Sequence, residues 1–202
     1  NAANSYGGGI ICYDNSNPTI SSCTISDNNA NSGGGGICCY DKSTPAISGC
    51  TLTNNALNGG GGGGIECYDS NPTISGCTIT SNTASYGGGI YCRDSSNPTI
   101  SGCVITANTV ILTGGGISCS HSDPTISDCT IESNTANHDG GGIICYQSHP
   151  TISDCTISDN TANDGGGIYC YSSNPTINGS TIESNSSNSN GGGIACYHQS
   201  TV

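Results

Sequence analysis

Eight times along the chain a run of glycines ends in isoleucine, at Ile10, Ile37, Ile65, Ile90, Ile117, Ile143, Ile168 and Ile194, with 25 to 28 residues between successive copies. A period that regular marks a stacked architecture, in which each repeat is one supersecondary unit and neighbours share a core. The unit is clearest in residues 140–163. Three glycines lead into Ile143-Ile144-Cys145-Tyr146, a polar turn, Pro150-Thr151-Ile152, then Asp154-Cys155-Thr156-Ile157 and Asn160-Thr161-Ala162.

Alternation within the unit predicts strands. Ile143 and Cys145 face one side and Ile144 and Tyr146 the other; Ile152 points inward between Thr151 and Ser153, and Cys155 and Ile157 repeat the pattern. Asp154 stands where other repeats place Gly49, Gly76, Gly102 and Gly179, which predicts a left-handed bend that Gly or Asp tolerates. Without Phe, Trp or Met, three aliphatic side chains per repeat cannot offset the entropy of ordering it, so a single turn cannot stand alone. Stacking solves this by pairing every strand above and below. β-Branched residues and short strands exclude a helical repeat, and parallel crossovers are right-handed. The expected fold is all-β: a right-handed parallel β-helix with three short strands per turn, about 26 residues per turn and seven to eight turns, forming one domain over residues 1–202. Such a rod is roughly 35–38 Å long. The chain starts and stops in mid-repeat, as expected of a fragment or processed form open at both ends.

A second column consists of Asn28, Asn55, Asn82, Asn108, Asn134, Asn160 and Asn185. Asparagine at a corner hydrogen-bonds to its neighbours and to turn backbone, so this column reads as structural. The longest glycine run, Gly59 to Gly64, lacks phosphate-loop spacing and reads as a loop allowance.

Gly-Gly-Gly-Ile-Tyr-Cys with Asn-Pro-Thr-Ile-Ser-Gly-Cys-Thr-Ile and Ser-Asn-Thr-Ala, as in residues 81–103, resembles the right-handed parallel β-helix repeats of bacterial secreted and surface proteins. It is also similar to the repeats of chlamydial polymorphic membrane proteins, within the wider pectate-lyase-like superfamily. The resemblance covers the whole chain. It implies a β-helix, and it implies roles that range from adhesins and passenger domains to polysaccharide enzymes.

Fifteen cysteines dominate the remaining composition. Two readings stand. Each turn closes its own disulfide (Cys12 with Cys23, Cys39 with Cys50, Cys67 with Cys77, Cys92 with Cys103, Cys119 with Cys129, Cys145 with Cys155), leaving Cys38, Cys170 and Cys196 free; or the thiols stack as small buried hydrophobes. Cys38 is placed on the outward face. The four histidines occupy outward or turn positions, which disfavours zinc.

A net charge of −12 repels nucleic acid and anionic lipid, and no apolar run reaches membrane-span length, so neither nucleic acid nor membrane insertion is expected. Asp14, Asp41, Asp69 and Asp94 form a carboxylate column flanked by Lys42 and Arg93, a candidate Ca2+ site. Pectate-lyase-like enzymes use such ligands, but here the column follows the repeat register and other turns carry His121, Gln147, Ser172 and His198 instead. No catalytic residue set is assigned, no cofactor is expected, and the chain is expected not to be an enzyme. Outward threonines on the second and third strands offer an ice-binding alternative, interrupted by Ala46, Val104, Glu132 and Glu183.

One face differs from the rest. Tyr13, Tyr40, Tyr68, Tyr146, Tyr171 and Tyr197 line one outward column of strand one, and Ile11, Cys38, Tyr91, Ile144, Tyr169 and Ala195 the next. Such a face is a candidate docking surface for another copy or for glycan rings. The sequence therefore points to an extracellular or cell-surface structural or adhesive solenoid, self-associating end-to-end or laterally, with a glycan-binding or polysaccharide-active β-helix as the alternative.

Overall fold

In the computed structural model, which describes residues 1–202, the chain is a right-handed β-solenoid whose strands pair only in parallel. Each turn repeats the same elements, for example Ile143–Tyr146, Thr151–Ser153 and Thr156–Ser158. Every strand pairs with its counterparts one turn away and in register: Ile143 opposite Ile168, Cys145 opposite Cys170. A fourth strand appears where the sequence suggested only a corner, two residues long at Thr161–Ala162 and up to five at Thr109–Thr113. The result is four sheets, two of eight strands and two of seven. Two-residue strands show no alternation of their own, and their pairing is imposed by the stack on either side.

Four left-handed bends per turn make the corners. In one repeat they fall at Gly140, Gln147, Asp154 and Asp159, with φ of 65°, 49°, 53° and 55°. Two of these corners show why some demand glycine. A Cβ on Gly140 would lie 2.6 Å from the Ile143 carbonyl oxygen, whereas one on Gly76 would meet open space. The Gly76 corner therefore accepts Asp128 and Asp154 in other turns, as its composition suggested, and the Gly140 corner accepts glycine in every turn.

The interior is one cluster of isoleucine, cysteine and a single leucine, with Ile37, Ile65, Ile90, Ile117 and Ile143 fully buried. A smaller cluster of Ala30, Leu57, Ala84, Val110, Ala136 and Ala162 fills the fourth corner. Beside it runs the asparagine column. Asn82 Nδ2 donates to Asn108 Oδ1 (3.0 Å) and to the Leu52 carbonyl (3.1 Å), while its backbone N–H also donates to Asn108 Oδ1 (3.0 Å). The same pattern continues through Asn134, Asn160 and Asn185 and back through Asn55 to Asn28.

A second polar ladder escaped the sequence reading. Ser43, Ser70, Ser96, Ser122, Ser148 and Ser173 are buried, and each accepts the backbone N–H of the serine one turn before it; Ser70 N–H to Ser96 Oγ is 3.1 Å. All seven prolines are preceded two residues earlier by serine. That was the available signal, lost among the many serines of the chain.

Candidate functional site

The aspartate column is first of all a turn. Asp14, Asp41, Asp69 and Asp94 have φ of 57°, 53°, 44° and 54°, and His121, Gln147, Ser172 and His198 share that left-handed conformation in the other turns. Local backbone geometry accounts for the aspartates, since Asp is among the few non-glycine residues that visit it readily. No three His, Cys, Asp or Glu side chains converge on a common point.

The cysteines form vertical ladders. All fifteen thiols are free, so the in-turn pairs from Cys12 with Cys23 to Cys145 with Cys155 are not formed. The Cys39 thiol meets those of Cys12 and Cys67 on the adjoining turns, and Cys103 meets Cys77 and Cys129. Thiols of the second column also reach backbone: Cys103 Sγ lies 3.4 Å from the Ser101 carbonyl and 3.7 Å from that of Ile74. Cys38 keeps its outward placement, outside the interior cluster and opposite Glu66 on the next turn, but neighbours cover it. It is fully buried, with Sγ 3.8 Å from Glu66 Oε2.

Glu66 is a buried carboxylate that the sequence did not single out. It is 1 % exposed, and its carboxyl group occupies space that a side chain at Gly33 would need. Arg93, one turn on, supplies the counter-charge at 2.8 Å and also reaches Asp94 at 3.3 Å. Burial outweighs that help and holds the Glu66 carboxyl above its ordinary pKa, while its charge raises that of Arg93. The guanidinium lies 4.1 Å from the Tyr68 ring centroid and 5.9 Å from that of Tyr91.

Arg93 thereby extends a stack. Tyr40 and Tyr68 stack nearly parallel with centroids 4.7 Å apart, and Tyr13 lies 5.5 Å beyond Tyr40. On the far side Tyr146 and Tyr171 stack at 5.2 Å, and His198 follows Tyr171 at 4.2 Å; Tyr197 leans toward Tyr169 instead. Between the two stacks the column falls to Ser120, so the tyrosine face is two surfaces rather than one.

The interruption spans a whole turn. Thr113, Ser118 and Ser120 are paired with Tyr86, Tyr91 and Arg93 on one side, and Ser118 and Ser120 with Ile144 and Tyr146 on the other. One turn thus carries short hydroxyl side chains at positions where both neighbours carry large ones. The outcome is a trench of about 550 Å3. Its flanking backbones are two strand spacings apart, about 9.6 Å, which leaves room for one flat ring between the walls. Tyr86 and Tyr91, stacked at 5.9 Å, form one wall, and Ile144 and Tyr146 the other. Tyr91 lies across Gly61, where any side chain would collide with its ring, so the long glycine run orients the wall.

Asp139 lines the same trench. It bridges to Asp164 on the next turn, and burial together with that neighbour raises its pKa. Asp164 is held low by donors, Asn190 Nδ2 at 2.9 Å and Tyr197 Oη at 3.1 Å, which outweigh its own desolvation. Both ion pairs of the molecule belong to Arg93, and neither involves Asp139.

The family model for the right-handed β-helix region matches residues 8–143 and 133–202, together almost the entire chain. No curated protein matches the chain, and no solved structure does.

Proposed function

Because the chain belongs to the right-handed β-helix family along nearly its whole length, we propose that it is a non-catalytic, extracellular adhesive solenoid that holds a surface glycan in the trench of its first sheet. The observation behind this reading is the combination of aromatic walls with a floor made by Thr113, Ser118 and Ser120. A pyranose ring has apolar C–H faces and a hydroxyl rim, so its faces suit Tyr91 and Tyr146 while its edge suits a serine floor. The rigid solenoid presents these walls without a further ordering cost on binding.

Ser120→Tyr tests it. Six other turns carry tyrosine at that position, so the face accommodates the ring, and the variant fills the trench with a rung that the stack already uses elsewhere. Loss of binding to glycan-coated surfaces with an unchanged melting profile supports the reading, whereas retained binding removes it. Lateral self-association is the second reading, favoured by Ile11 and Tyr13, which are 47 % and 53 % exposed side by side on the same sheet. Sedimentation of an Ile11→Ser, Tyr13→Ser variant at high concentration separates it from the first.

A further inference from the structure

We infer that the trench selects a cationic glycan, an oligomer of deacetylated amino sugar, whose ammonium group docks beside Asp139 and against the tyrosine rings. This deepens the glycan reading above and rests on it. The molecule contains its own model of such a contact. One turn away, the Arg93 guanidinium sits over Tyr68 and beside Tyr91, with Glu66 at 2.8 Å as counter-ion. In the trench the elements recur without the cation: Tyr91 and Tyr86 on one wall, Tyr146 on the other, and a carboxylate at one end. Aromatic faces attract cations most strongly where water is partly excluded.

Electrostatics point the same way. Asp139 is half-buried, faces Asp164 across one turn, and has no Lys or Arg partner. Burial and these neighbours push the Tyr169 phenol up to about 12, so its ring stays neutral beside the carboxylates. A bound ammonium would relieve the repulsion between Asp139 and Asp164. The net charge of −12 draws cations toward the rod and repels uronic-acid polymers.

The test compares glucosamine oligomers with N-acetylglucosamine oligomers of equal length by calorimetric titration, on the intact chain, on Asp139→Asn and on Ser120→Tyr. Asparagine is already present at the equivalent site one turn beyond Asp164, at Asn190, so the fold tolerates it. The expected result is roughly tenfold tighter binding of the amine form, a preference that Asp139→Asn removes and a site that Ser120→Tyr closes. Equal binding of the two sugars, or a preference that survives Asp139→Asn, overturns the cationic inference and leaves the glycan reading standing. Failure of both sugars to bind overturns both.

Discussion

Arg93 Nε donates to Glu66 Oε1 at 2.8 Å, and this contact joins two consecutive turns through a carboxylate that solvent barely reaches. Replacing Arg93 with Met keeps the stem and leaves the Glu66 charge buried without a partner, at an expected cost of about 3 kcal/mol in denaturant unfolding. The sign of the pH dependence follows from Glu66 having its folded pKa above the unfolded value. Its protonation favours the fold, so its contribution is present below the unfolded pKa and is lost as pH rises through the folded one. The Arg93→Met deficit should therefore shrink on acidification. A deficit that grows toward low pH would mean that Glu66 is not the group left unpaired.

The asparagine column carries a larger load per residue than the buried isoleucines suggest. Asn108→Ala removes the acceptor of both the Asn82 N–H and its Nδ2, and leaves the Ile79 carbonyl without its donor. Three hydrogen bonds between buried groups are lost, and a loss of about 3 kcal/mol is expected. A midpoint shift no greater than that of an exposed Asn→Ala control would show that water replaces the ladder.

Serine offers a sharper contrast, because the chain carries both buried and exposed copies. Ser96→Ala deprives the Ser70 N–H of its 3.1 Å acceptor and should cost about 1–2 kcal/mol, against a few tenths for exposed Ser21. Equal shifts would dismiss the serine ladder as a stabilising element.

Alkylation reports on the thiols. In the native 202-residue chain Cys23 and Cys196 are exposed and should label first, with the thirteen buried thiols reacting only after denaturation, and no reductant should be needed to reach all fifteen. Labels missing in twos until reductant is added would restore disulfides.

What could be read in the sequence followed from repetition. The isoleucine columns set the strand register, because parallel in-register pairing places equivalent residues of successive repeats opposite each other. The Gly or Asp corner at Gly76 and Asp154 was legible for the same reason. The functional features are departures from repetition, and they are harder to see. Glu66 passes unnoticed in its own repeat, because Gly33 on one turn and Arg93 on another are what enclose it. The trench is made by what Ser118 and Ser120 lack relative to Tyr91 and Tyr146, and a column described by its tyrosines passes over the gap. Asp139 shows nothing unusual within its own repeat, because the aromatic walls beside it belong to other turns.

The most direct test of the trench as the docking surface is amide chemical-shift mapping during titration with a glucosamine oligomer. Perturbations should centre on Ser118, Ser120, Asp139 and Ile144 and fade within one turn on either side, and they should vanish in Ser120→Tyr. Shifts centred instead on Tyr13 and Tyr40, or spread evenly along the four sheets, would contradict the trench as the site of binding.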